Sequence, residues 1–184
     1  MHIILTGTES TFKSSLAEKL SQEYGLSHAS EYARGYIEKL GPNVDLENFP
    51  REHFFAIAKG QFALEHSFNY HDPQAPTCVF DTDHITLDIW NRAVWGEQHP
   101  AYRTVFPHNI YLLCAPTTPW VDDGMRVDGH RREELHQMYV ELLDTSGAWY
   151  FTLESPDFNG RLEEAKKVMK GLEIEIKLRD SADH

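Results

Sequence analysis

Short apolar runs alternate along the 184-residue chain with longer stretches in which apolar residues recur every three or four positions. The runs are too short for helices and rich in Ile, Leu, Val and Phe. They predict strands at 2–6, 26–30, 77–81, 109–114 and 149–153. The spacing of the second kind predicts helices at about 13–24, 31–40, 50–70, 84–95, 130–146 and 159–172. Strand followed by helix, five times over, reads as an α/β domain with a mainly parallel sheet and helices on both of its faces. Pro and Gly mark loops at 41–43, 72–76 and 116–119, none long enough for a linker. One domain over 1–172 is therefore expected, followed by a tail, 173–184. The alternation Glu173-Ile174-Glu175-Ile176-Lys177-Leu178 in that tail predicts an edge strand. On the third helix, Phe54, Phe55, Ile57, Phe62, Leu64 and Phe68 read as a wide stripe facing the core rather than a cofactor box.

The first strand runs into Gly7-Thr8-Glu9-Ser10-Thr11-Phe12-Lys13-Ser14-Ser15 and then a helical pattern, the setting of a phosphate-binding P-loop. The motif GxxxxGK[ST] works because small residues let successive backbone N–H groups close around phosphate oxygens. Its Lys reaches the β- and γ-phosphates, and its hydroxyl ligates magnesium. The N-terminal amides of the following helix add partial positive charge at the same place. Here the second glycine is Phe12. Two readings stand: the position needs φ > 0 and a side chain there strains the loop, or the backbone stays in an allowed region and the ring packs away from the phosphates.

Ligands of open parallel sheets bind beyond the carboxyl ends of the strands, so the residues just after each strand matter most. Asp81 ends the third strand as a rigid carboxylate able to hold magnesium with Ser14. Asp83 reads as a helix N-cap. Glu31 follows the second strand and is a candidate general base, with Arg34 three residues on and on the same helical face. Arg126, followed by Arg131 and Arg132, lies in a Gly-containing stretch that reads as a lid at about 117–132. A closing lid would bring arginines onto the transferring phosphoryl group. Ser155 and Pro156, after the fifth strand, are candidates to border the adenine, with Arg161 near them.

A net charge of −12 argues against a general nucleic-acid or anionic-membrane surface and points to a small-molecule partner. Cys78 and Cys114 fall in apolar runs and read as inert buried thiols. No signal peptide and no run of 18 apolar residues is visible, so a cytoplasmic location is expected. The eleven histidines form no HExxH or Cys/His finger spacing.

Taken together, the P-loop and the blocks Glu31-Tyr32-Ala33-Arg34, Gly60-Gln61, Phe80-Asp81-Thr82-Asp83, Trp120-Val121-Asp122-Asp123-Gly124-Met125-Arg126 and Glu154-Ser155-Pro156 resemble one family over nearly the whole chain. It is the ribosylnicotinamide kinase domain of the bifunctional nicotinamide-nucleotide adenylyltransferase and kinase proteins of bacterial NAD metabolism. That resemblance implies a P-loop kinase fold with a short lid and ATP-dependent phosphorylation of the 5′-hydroxyl of nicotinamide riboside. Lys13 and the loop amides would hold ATP, Ser14 and Asp81 magnesium, Glu31 or Asp83 the acceptor hydroxyl, and Arg126 the closing lid. The substrate's cationic ring would suit Trp120 and Asp123, with Tyr32 and Tyr36 behind. The family has Gly where Phe12 stands. Because the chain begins at the first strand, adenylyl transfer and DNA binding are not expected of it. Two other readings compete: a deoxynucleoside or nucleoside-monophosphate kinase, and a nucleotide-binding sensor impaired by Phe12.

Overall fold

Five parallel strands form the centre of the computed structural model, which describes residues 1–41, 44–46, 48–121 and 128–182. The strands are β1 (Ile3–Gly7), β2 (Ser27–Ala29), β3 (Cys78–Asp81), β4 (Ile110–Cys114) and β5 (Trp149–Leu153), and they lie in the order β2-β3-β1-β4-β5. Every neighbouring pair is parallel, so each connection is a crossover that a helix can fill. The helices are α1 (Lys13–Tyr24), α2 (Tyr32–Leu40), α3 (Arg51–Ser67), α4 (Ile85–Trp95), α5 (Arg132–Ser146) and α6 (Phe158–Ala182). This is the α/β class that the alternation predicts.

The period of two along each strand divides the core between the faces of the sheet. Ile3, Leu5, Ile110 and Leu112 meet Leu16, Leu20, Leu162 and Met169 from α1 and α6. Ile4, Phe80, Tyr111 and Leu113 meet Tyr70, Ile85, Leu135 and Tyr139 on the other face. A third cluster, with Ala33, Ile37, Phe54, Ile57 and Leu87, joins α2 and α3 to α4 and walls in the space above the strand ends. β1 is buried along its whole length between β3 and β4, which fixes the root of the P-loop in the most constrained part of the fold.

Several expectations need correction. No edge strand forms at 173–178, because α6 continues to Ala182. Glu, Lys, Leu and Arg favour helix, and between Gly171 and Ala182 no Gly or Pro stops it. On α3 the buried face is Phe54, Ile57, Ala58, Gln61 and Glu65, while Phe55 is exposed, and the helix ends at Ser67. The core stripe therefore carries a buried carboxylate that apolar periodicity does not reveal. The two cysteines are unpaired and buried, and burial pushes the Cys78 thiol up to about 12. Among the described residues no helix is long and apolar enough to cross a membrane.

Candidate active site

Gly7 closes β1 with φ +124, and a Cβ there would lie 2.6 Å from the carbonyl oxygen of Cys114 on β4. Only glycine lets the chain turn so close to the neighbouring strand. The loop then passes through Ser10 (φ 56) and Phe12 (φ 67, ψ 13), both left-handed, before α1 begins at Lys13. Of the two readings of Phe12, the backbone follows the first, since the position has the φ that glycine would supply. The ring packs edge-on against Phe158, 5.9 Å between centroids, and the residue also lines the cavity. Residues 7 to 15 together line a cavity of about 400 Å³. The Lys13 ammonium donates to the Thr8 carbonyl at 2.7 Å, and the Thr11 hydroxyl donates to the same oxygen at 2.8 Å.

Three strand-end acids have distinct surroundings. Glu31, just before α2, lines the cavity with Arg34, whose Nε stands 4.0 Å from its carboxylate. Burial raises the pKa of Glu31, the nearby Asp81 charge adds to the rise, and Lys13 and Arg34 oppose it. Asp81 is buried at the end of β3, in register with Leu5 of β1, and its Oδ1 has no hydrogen-bond partner among the described residues. The following Thr82, a β-branched residue at φ 70, is held by its N–H to the Leu5 carbonyl at 2.9 Å and by a 2.7 Å contact with the Thr86 hydroxyl. Asp83 turns away from the cavity. Its carboxylate accepts from the hydroxyls of Tyr70 at 2.6 Å and Tyr111 at 3.1 Å and from the Ile85 N–H at 3.3 Å, while His84 is the N-cap residue of α4.

Other expected residues fall differently. The Trp120 ring rests on Gly129, where an added Cβ would lie 2.6 Å from it, and Tyr32 covers Gly60 in the same manner at 2.0 Å. Neither residue lines the cavity, whose aromatic lining is Trp90, Tyr139 and Phe12, with Pro119 and Val121 also on its wall. Sequence reading missed Trp90 because a Trp within the apolar period of α4 looks like core. Ser155 and Pro156 do not reach the cavity wall, and the Ser155 N–H is held by Glu164 at 3.1 Å. Arg132 is buried and donates to the Thr118 carbonyl and hydroxyl, while Arg131 pairs with Glu134. Both are committed to the protein rather than held ready for phosphate. Asp123 and Arg126 lie outside the described residues. The loop after β4 nonetheless touches the P-loop: the Thr118 hydroxyl donates to the Ser10 carbonyl, and the Asp128 N–H donates to Glu9 at 3.3 Å.

Comparison with known proteins fits this geometry. A family model described as "AAA domain" matches residues 2–161. The trifunctional NAD biosynthesis/regulator protein NadR of Escherichia coli (strain K12) is 26% identical over 165 residues, covering 86% of this chain. The chain spans 39% of that relative's length. Among solved structures, NadR protein in complex with NR superposes with a TM-score of 0.71 at 21% identity, over 89% of this chain and 49% of that one. Thymidylate kinase from Candida albicans gives a TM-score of 0.66 at 10% identity, over 94% of this chain and 92% of that one. The P-loop kinase fold is thus shared with both, and the family resemblance read from the sequence stands.

Proposed function

The chain belongs to the AAA domain family, and on that footing we propose that it is a kinase of NAD salvage. It transfers the terminal phosphoryl group of ATP to the 5′-hydroxyl of nicotinamide riboside, giving nicotinamide mononucleotide and ADP. One observation carries this reading: a single cavity runs from the P-loop lysine to Glu31, a carboxylate of raised pKa, and has an aromatic wall at Trp90. The kinship with NadR, one solved structure of which holds NR, supports the choice of acceptor.

The residues divide the work as follows. The loop amides and the N-terminus of α1 bind the phosphates. Lys13 exchanges its bond to the Thr8 carbonyl for one to the phosphate oxygens. Ser14 and Asp81 would hold magnesium: a buried carboxylate oxygen with no partner fits a hard cation, and the Ser14 hydroxyl is exposed at the start of α1. When bound, that ion neutralises charge on the phosphates. Glu31 accepts the proton of the 5′-hydroxyl as the new O–P bond forms and the bond to ADP breaks. Its raised pKa makes it a stronger base than an ordinary carboxylate, and Arg34 orients it. The cationic pyridinium suits the Trp90 face and the acids Glu9 and Asp128 on the same wall.

The thymidylate kinase neighbour favours a second reading, a deoxynucleoside or nucleoside-monophosphate kinase on the same machinery. The left-handed Phe12 favours a third, a nucleotide sensor without turnover. Measuring kcat/KM for nicotinamide riboside, thymidine and deoxycytidine, with wild type and Phe12→Gly side by side, separates them. The riboside is expected to be the best acceptor for the wild type. A preference for thymidine makes the second reading correct, and transfer that appears only with Phe12→Gly makes the third correct.

A further inference from the structure

The P-loop is braced from outside itself, at the residue where its glycine is replaced. Arg161, on the second turn of α6, is fully buried, and its guanidinium donates to four acceptors: the carbonyls of Thr11 (3.1 Å), Ala115 (2.5 Å) and Ser155 (2.6 Å) and the hydroxyl of Thr117 (2.8 Å). Thr11 precedes Phe12, so this bond fixes the peptide that leads into the left-handed residue. Phe158, the first residue of α6, takes the Phe12 ring edge-on. The same helix end thus grips the Thr11–Phe12 unit by its carbonyl and by its side chain. Nothing within the loop caps α1 in their place, since Phe12 stands at the N-cap and makes no side-chain cap bond.

We propose that Arg161 and Phe158 are positioning residues that hold the P-loop open for triphosphate, taking over the conformational role that glycine has at the position of Phe12. A glycine adopts φ near +67 freely, whereas a residue with a Cβ must be held there. The brace is the holder. It also ties the phosphate loop to the ends of β4 and β5 through Ala115 and Ser155, so the loop and the neighbouring strand ends move as one body. This proposal rests on the nucleotide reading of the cradle, and its distinctive consequence is a dependence between distant substitutions. Phe158 and Arg161 matter to nucleotide binding because residue 12 is not glycine.

The test is a double-mutant cycle read by calorimetric titration with MgATP, with thermal unfolding of the same samples. Phe158→Ala is expected to weaken MgATP binding about 5- to 10-fold in the Phe12 background and less than 2-fold in the Phe12→Gly background. Phe158→Leu retains apolar volume for the core and is expected to give about half the logarithmic loss, with the same rescue. Arg161→Lys keeps the charge but not the planar fork, and should show the same pattern. A merely structural role would lower the melting temperature equally in both backgrounds and leave the affinities uncoupled. Equal affinity losses in the two backgrounds would overturn the brace while leaving the nucleotide site standing. Failure of the wild type to bind MgATP at all would overturn the nucleotide reading, and the brace with it.

Discussion

Glu65→Gln is the most instructive perturbation of the frame that carries Asp81 and Thr82. Glu65 lies fully buried on α3, and its carboxylate accepts from the backbone N–H of His84 at 2.7 Å, from the His84 ring Nδ1 at 2.7 Å and from the Gln61 amide at 2.9 Å. His84 Nε2 faces the Thr104 carbonyl at 2.7 Å, so both ring nitrogens have acceptors and the ring is a cation. Burial alone would lower the pKa of His84, but the bond to Glu65 and its charge overcome that and raise it from 6.5 to about 9. A histidine with a raised folded pKa contributes stability that is complete below the unfolded value and is lost as pH rises through the folded one. At pH 7 that contribution is roughly 2 to 3 kcal/mol, and at pH 9.5 it is well under 1 kcal/mol.

Glutamine matches glutamate in shape and can donate to the neutral ring at Nδ1, so the substitution removes the linkage without leaving a gap. Burial also raises the pKa of Asp83, to about 6, below both pH values of the comparison in the wild type. The assay is urea unfolding of wild type and variant at both pH values. The variant should be less stable by roughly 2 to 3 kcal/mol at pH 7 and nearly equal at pH 9.5. A deficit of the same size at both pH values would refute the charged pair and leave only a lost hydrogen bond.

Four further outcomes follow from the site. Lys13→Ala should cut turnover about 100- to 1,000-fold, as loss of a charge-stabilising donor does, while leaving the melting temperature nearly unchanged; unaltered turnover would remove the P-loop from the mechanism. Glu31→Gln should lower kcat at least about 100-fold with little change in the KM for ATP. In the wild type the rate should rise with pH through a limb lying above 4.5, because burial raises Glu31, and a limb at or below 4.5 would assign the proton elsewhere. Gly7→Ala should destabilise the fold by about 2 kcal/mol or more, through positive φ and the 2.6 Å approach to Cys114; an unshifted urea midpoint would show that approach to be slack.

The sheet and its helices were legible because β1, β3 and β4 are buried along their length and read as largely apolar runs, and because the helical period is strong on α2 and α4. The P-loop was legible because its chemistry is local: consecutive residues make one cradle. What escaped were properties of distant neighbours. Trp120 and Tyr32 look like free aromatic faces in sequence, yet each ring covers a glycine on another segment, Gly129 or Gly60. Asp83 resembles Asp81 until Tyr70 and Tyr111 are seen to claim its oxygens. Arg161 looks like a surface residue of a polar helix, and nothing in its immediate sequence announces four buried acceptors. The tail misled because strict alternation of Glu with Ile fits a strand by period, while its residues suit a helix that has no reason to stop.

The most direct measurement follows the label. Protein, magnesium, nicotinamide riboside and ATP labelled in its γ-phosphate are incubated together, and the products are separated by charge. Label should pass to nicotinamide mononucleotide in step with ADP, and Lys13→Ala should slow that transfer by the same 100- to 1,000-fold, about the loss expected of a charge-stabilising donor. Label that stays in ATP, or leaves it only as inorganic phosphate, would contradict the kinase reading.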